Sequence, residues 1–297
     1  MPVGGWVQNR FMPELPEVAA LVADLRERLV GRTIARVDVL VVSALKTFDP
    51  PVTALAGRTI TDVTRHGKWL DLATDDGLHL LVHLARAGWL RWRSAAPKPT
   101  KPGRGPLAAR LVLDDGSGFD LTEAGTAKRL AIHLVHDPDE IDAVRTLGLD
   151  PMSDAFTAEA FDRILDAAGR ARIKGVLRDQ RRIAGIGNAY SDEILHAARM
   201  SPYKPADMPA ADRERLYAAV RTTLAEAVER ASGRPASELK SEKREALRVH
   251  GRAGSPCPVC GDTIRHVEFV DSTFEYCPTC QTGGRVLADR VRSRLVK

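Results

Sequence analysis

The sequence predicts an α+β chain with more than one domain, on three observations. Val18, Leu21, Val22, Leu25 and Leu29 recur at helical spacing near the start. Short β-rich runs separated by turn signals fill most of residues 33–135. After Asp150-Pro151 the texture becomes rich in Ala, Leu and Arg with a helical period. A chain of 297 residues is also long for a single core.

The first helix is expected over residues 16–30, with Pro16 in its first turn and Gly31 as its stop. The runs Ile34–Val42, Thr59–Val63, Trp69–Ala73 and His79–Trp92 follow, some parted by turns such as Asp75-Asp76-Gly77. Ser94–Pro106 holds four prolines and reads as a loop. Ala108–Leu113 and Leu130–Val135 complete a β-sandwich or barrel. Trp69, Trp89, Trp92 and His83 read as core, and His66 and His250 as solvated loop positions. A domain boundary is placed near 145–152, and helices are expected at 157–168, 173–179, 189–198 and 210–231. Residues 233–252 are polar and charged, and Gly283–Lys297 is a basic tail.

Hydrophobic residues make up 44% of the chain, which excludes disorder throughout. No apolar run approaches the ~20 residues needed to span a bilayer, so no membrane partner is expected. Residues 1–11 lack the basic and apolar regions of a secretory signal. The charge is uneven: residues 1–150 carry 19 basic and 19 acidic side chains, whereas 151–297 carry 25 and 20. The whole +5 surplus therefore lies in the second half; such asymmetry fits a polyanionic partner, although on charge alone a solvated basic surface is the better account.

All four cysteines fall between 257 and 280, a pattern of a reducing compartment rather than of a disulfide scaffold. Cys257-x2-Cys260 and Cys277-x2-Cys280 are sixteen residues apart, across a stretch rich in β-branched and aromatic residues. Two such knuckles on a β-hairpin supply four thiolates to one tetrahedral Zn2+, closed to substrate and so structural.

Two further segments carry candidate chemistry. Gly185-Ile186-Gly187-Asn188 precedes an apolar helix and follows Arg170, Arg172, Lys174, Arg178, Arg181 and Arg182. Freed N–H groups at such a helix start, with Asn188, suit a phosphate, although a plain tight turn has the same signature. In Met12-Pro13-Glu14-Leu15-Pro16-Glu17, a start at Met12 followed by removal of that Met would leave Pro13 as a secondary amine beside two carboxyls. Such an amine can attack an electrophilic carbon and form an iminium. An ordinary Pro-rich helix entry accounts for the same residues.

Together these segments resemble the formamidopyrimidine-DNA glycosylase/endonuclease VIII family. The resemblance runs from Met12 through Pro13–Val18, His66-Gly67-Lys68-Trp69, His83-Leu84, Ile173–Leu177 and Gly185–Glu193 to the four cysteines. It implies a β-sandwich domain, a helix–two-turns–helix domain and a zinc finger, with boundaries at 12–148, 149–236 and 237–297 and an extension at 1–11 outside the functional enzyme. It implies a monomeric cytoplasmic, nucleoid-associated enzyme that acts on damaged double-stranded DNA. Such an enzyme excises an oxidised, flipped-out base and then nicks the abasic site. On that likeness Pro13 attacks the sugar C1′, Glu14 is the acid/base that assists ring opening, and Glu17 supports the site. Lys68 and Asn188 bind the flanking phosphates, and Lys174 and Glu193 take secondary roles at the DNA.

The chain departs from the family pattern in four places. Eleven residues precede Met12. Arg86 and the segment Glu123–Arg129 stand where the family fills the gap left by the flipped base, without its Arg-Phe wedge. The stretch 232–252 is short for a loop that caps oxidised guanine, which favours oxidised pyrimidines, ring-opened purines or hydantoins. Asp271-Ser272-Thr273 occupies the hairpin tip where an Arg is usual, so Arg285 or the tail residues Arg290, Arg292, Arg294 and Lys297 are expected to take over the phosphate contact. Two other functions fit parts of the pattern: a non-catalytic binder of damaged DNA with the same architecture, and a zinc-ribbon adaptor with an unrelated first domain.

Overall fold

The computed structural model describes residues 12–95, 97, 105–124, 128–268 and 273–287. The extension 1–11, most of the loop 94–106, Asp271-Ser272 at the hairpin tip and the tail arginines from Arg290 onward lie outside the described residues. The chain forms two compact units, residues 1–146 with 230–242, and residues 147–229 with 243–297.

The first unit opens with α1 (Leu15–Leu29). Val18, Leu21, Leu25 and Leu29 turn one fully buried stripe inward, at the spacing that predicted the helix. Eight strands follow: β1 (Ile34–Val39), β2 (Ile60–His66), β3 (Trp69–Thr74), β4 (His79–His83), β5 (Gly88–Arg93), β6 (Leu107–Leu113), β7 (Gly118–Glu123) and β8 (Ala131–Val135). They make two antiparallel sheets, β1-β6-β7-β5 and β2-β3-β4-β8, so the sandwich is the right member of the sandwich-or-barrel pair. Trp69 and Trp89 are buried, as read.

Two features differ from the sequence reading. The run His79–Trp92 is two strands, broken at a turn where Ala85 takes φ 52°, a left-handed conformation that a side chain rarely adopts. Strand β7 was not foreseen. All six of its residues are buried, yet three are Asp120, Thr122 and Glu123. Their polarity is met inside: the Asp120 carboxylate accepts from Arg110 Nε at 2.6 Å and Arg93 Nε at 2.8 Å, and Glu123 Oε1 accepts from the Arg129 N–H at 2.8 Å.

Beyond the short α2 (Asp142–Arg145), the second unit holds α3 (Ala158–Ala168), α4 (Ile173–Arg178), α5 (Asn188–Ala197) and most of α6 (Ala210–Ala231). Thr157 caps α3 by accepting from the Ala160 N–H at 3.2 Å, and Gly169 ends it at φ 53°. A Cβ on Gly148 would lie 2.3 Å from the Arg182 backbone, so glycine is what lets this unit's opening segment pass the turn before α5. After α7 (Leu239–Ala246) come the hairpin strands β9 (Arg265–Glu268) and β10 (Thr273–Tyr276) and a final short α8 (Pro278–Thr282).

The polar stretch 233–252 therefore contains a helix. Residues 230–242 also return to the first unit, where Ala231, Ala236 and Leu239 are buried in the sandwich core. The sequence reading divided these residues between the helical domain and the finger. No described helix is long and apolar enough to cross a membrane.

Candidate active site and metal centre

In the first unit the candidate site begins at α1. Glu14 is the N-cap and Glu17 the third helical residue, and they form a reciprocal capping box. Glu17 Oε2 accepts from the Glu14 N–H at 2.8 Å, and the Glu14 carboxylate faces the Glu17 N–H. Pro13, Glu14 and Glu17 are all buried, Glu14 at 1% exposure and Glu17 at 0%. Two buried carboxyls, one and four residues after Pro13, are thus held at the start of the helix.

Lys68 lies in the β2–β3 turn, which Gly67 closes at φ 55°. It is half-buried, and its charge is felt by His83 on β4. Burial, helped by Lys68, lowers the His83 pKa to about 4, so that ring is neutral at pH 7. Its ring centroid is 4.8 Å from that of Trp69. Arg86 is exposed on the strained β4–β5 turn, next to Ala85. His66 is in a strand rather than a free loop, with Nε2 2.9 Å from Asp71 Oδ2.

In the second unit Asn188 is the first residue of α5, with Gly187 as N-cap. Its Nδ2 donates to the Thr273 carbonyl of β10 at 2.7 Å. Lys174 and Glu193 are 6% exposed and engaged within the protein. Lys174 Nζ lies 2.6 Å from Asp192 Oδ1 and donates to Ser191 Oγ at 2.8 Å and to the Asn188 carbonyl at 3.2 Å. Glu193 accepts from the N–H groups of Arg248, Val249 and His250 at 2.8–2.9 Å. Lys174 thus fixes the start of α5, and Glu193 ties the middle of that helix to the 248–250 backbone, because both side-chain ends already have internal partners.

His250 corrects the sequence reading. It is 2% exposed, not solvated, with Nδ1 2.8 Å from Asp192 Oδ2 and 3.0 Å from Glu275 Oε2. Burial alone would lower its pKa, but the two carboxylates win and hold it at about 10. Asp192, His250 and Glu275 have the donor types of a metal site. The Lys174 ammonium and the imidazolium already balance the two carboxylates, so no further cation is called for. Asp192 and Glu275 were missed in the sequence because no local spacing links positions 192, 250 and 275.

The four cysteine sulfurs lie within 4.8 Å of one another. Cys260 and Cys277 are 3.3 Å apart, and Cys257 and Cys280 3.9 Å. A tetrahedron of Zn–S bonds near 2.3 Å has edges of about 3.8 Å, so the cluster fits zinc. A ring nitrogen of His196, Nε2, lies 3.3 Å from Cys257 Sγ. Burial, then the charges of Arg248 and Arg199, lowers the His196 pKa, and a neutral N–H there suits a thiolate. Arg285 is exposed, just after the turn at Gly283 and Gly284.

Three family models match the chain in order. They are the formamidopyrimidine-DNA glycosylase N-terminal domain over residues 12–129, the H2TH domain of the same enzyme over 147–238, and a zinc finger found in FPG and IleRS over 254–283. The chain is similar to an uncharacterized formamidopyrimidine-DNA glycosylase-like protein of Mycobacterium tuberculosis, 57% identical over 132 residues, 44% of this chain and 84% of that one. It is 36% identical to formamidopyrimidine-DNA glycosylase of Thermus thermophilus over 283 residues, covering 92% of this chain and 100% of that one. The crystal structure of MutM (Fpg) from the same organism matches with a TM-score of 0.76 at 33% identity, over 91% of this chain and 98% of that one. Lactococcus lactis Fpg in complex with abasic-site DNA matches with a TM-score of 0.79 over 91% of this chain and 99% of that one; at 23% identity that likeness speaks for the fold alone.

Proposed function

We infer the activity from a plain premise: the chain belongs to the formamidopyrimidine-DNA glycosylase family. It is a DNA glycosylase of base excision repair that removes oxidised bases and then nicks the abasic site. The observation that carries this reading is a proline directly before a helix start that holds two buried carboxyls, at the residue next to where the N-terminal family model begins. Removal of Met12 turns the Pro13 nitrogen from an amide into an amine. That amine attacks C1′ of the damaged nucleotide, the glycosidic bond breaks, and the base leaves. Glu14 gives a proton to the sugar ring oxygen as the ring opens to the iminium, and Glu17 holds Glu14 through its N–H. Strand cleavage at the abasic site follows from the iminium.

Lys68 and Asn188 hold backbone phosphates beside the lesion, and Arg86 enters the gap left by the flipped base, where its planar guanidinium can stack. Asn188 keeps one amide hydrogen for a phosphate while the other goes to Thr273. Lys174 and Glu193 act through Asn188 by fixing α5. One zinc ion held by Cys257, Cys260, Cys277 and Cys280 is structural, supplying a cross-link between the two knuckles. The helix in place of a long stretch at 232–252 leaves little chain to cap oxidised guanine, so oxidised pyrimidines, ring-opened purines and hydantoins are the preferred substrates. The enzyme acts as a cytoplasmic, nucleoid-associated monomer on damaged duplex DNA.

A second reading has its own observation: Pro13 follows Met12 in the sequence, and as an amide it cannot attack. The protein would then bind damaged DNA without cutting it. Borohydride reduction on abasic-site duplex separates the two, because only an iminium becomes a stable crosslink. A chain starting at Pro13 is expected to give the crosslink and a chain retaining Met1 to give none. No crosslink from the Pro13 chain, or equal yield from protein whose mass proves Met1 is retained, would overturn the catalytic assignment.

A further inference from the structure

A cavity of about 750 Å3 opens in the second unit. Its walls include Arg172, Ser201, Tyr203, Thr282, Arg285 and Leu287, and among the described residues no carboxylate lines it. Arg172 is the N-cap of α4, and its guanidinium lies over the Tyr203 ring at 4.5 Å. This cation–π contact holds the guanidinium at the ring face and does not use up its N–H donors. Neither Arg172 nor Arg285 has an acidic partner among the described residues, whereas Arg93, Arg110 and Arg213 each do. Two arginines on one concave wall, with no carboxylate among its described lining residues, are a place for an anion.

The second wall comes from a segment that the zinc-finger family model does not include, since that model ends at residue 283. The segment is nevertheless built. Gly283 and Gly284 take φ 61° and 83° to turn the chain, and Arg285 N–H donates to the Thr282 carbonyl at 3.3 Å. The Leu287 N–H donates to Tyr276 Oη at 2.7 Å, and its side chain packs on the cluster of Val267, Phe274 and Tyr276. Tyr203 meets Phe274 edge-on at 5.4 Å, and Thr273, the residue before Phe274, accepts from the Asn188 amide. The cavity thus lies one aromatic layer from Asn188.

We propose that this cavity is a second phosphate site. Arg172 and Arg285 together hold one phosphodiester of the DNA backbone, separate from the phosphate at Asn188. A guanidinium pair matches the tetrahedral oxygens of a phosphate with several charge-assisted hydrogen bonds. The volume exceeds what a lone phosphate fills and suits a backbone with its sugars. The site deepens the DNA-repair reading and rests on it.

The test uses the full chain and a duplex with a stable abasic analogue, with affinity measured across salt concentrations. Wild type is compared with Arg172→Ala, Arg285→Ala and the double variant; both side chains are exposed, and circular dichroism checks the fold. Each single variant is expected to bind about 5–10-fold more weakly and to lose about 0.9 from the salt slope, the value of one phosphate. The double variant is expected to lose the same 0.9 or so, because the two arginines share one phosphate. Unchanged slopes in both singles, or a double variant losing about twice as much, would overturn the shared site. Inorganic phosphate at millimolar concentration should compete no better against wild type than against the double variant. Selective competition would mark a free-anion site and overturn the backbone assignment. A wild-type chain that does not bind this duplex would overturn the DNA-repair reading itself, an outcome distinct from wild-type binding with unaffected variants.

Discussion

The two units hold histidines of opposite charge state, His83 in the first and His250 in the second. The His83 ring of the first unit packs 4.8 Å from that of Trp69, and burial together with the Lys68 charge holds it neutral with a pKa of about 4. His250 in the second unit is more deeply enclosed, yet two carboxylates hold it protonated up to about 10. The difference teaches that burial sets only the penalty for charge, while the neighbours decide whether the penalty is met. The acids divide the same way. Glu14 and Glu17 meet each other's backbone N–H groups in the capping box that opens α1. Asp192 and Glu275 are matched by Lys174 and His250, which commits them to holding α5 and β10 together.

The strongest way to break the comparison is to remove zinc. Zinc-finger sites contribute about 10 kcal/mol or more to folding, so a chelator is expected to unfold the hairpin while the sandwich keeps its β-sheet circular dichroism. Concerted loss of both would show that the units are not independent. Next is His250→Gln, which leaves two buried carboxylates with one cation fewer. Its cost in urea unfolding should be about 3–5 kcal/mol, and a cost under about 1 kcal/mol would mean that the triad is not charged as described.

Titration sharpens the contrast further, with opposite signs. His250 has its pKa raised on folding, so its contribution is fully present below about pH 6.5 and lost as the pH rises through about 10. His83 has its pKa lowered, so its contribution is present above about pH 6.5 and lost as the pH falls toward 4. Thermal melts should therefore weaken on the alkaline side through the second unit and on the acid side in part through the first. His250→Gln should flatten only the alkaline arm. The smallest effect belongs to Ala85→Gly: removing the Cβ at φ 52° should stabilise the first unit by up to about 1 kcal/mol. A destabilised variant would show that the turn is not strained.

What was legible in the sequence is what local pattern encodes. The apolar stripe of α1, the turn-bounded strands and the two Cys knuckles each state their structure within a few residues. The cysteine cluster was legible because both knuckles are short and the intervening stretch reads as a hairpin. Strand β7 was not, because Asp120 and Glu123 look like surface residues until Arg110 and the 129–130 backbone are beside them. His250 failed for the same reason, since its partners stand 58 and 25 positions away. At the capping box the Pro13–Glu17 segment was readable as a helix entry, while the burial of its carboxyls depends on the packed fold.

The return of residues 230–242 to the first unit bears on how the chain is made. A polypeptide emerging N-terminus first completes all eight sandwich strands by Val135, but Ala231, Ala236 and Leu239 reach that core only about a hundred residues later. Until then the nascent sandwich has an unfilled apolar seam, and the helical unit is synthesised as an insertion within it. A chain ending at residue 146 and released from the ribosome would present a sandwich open to proteases and chaperones, and one released past Glu242 a closed one.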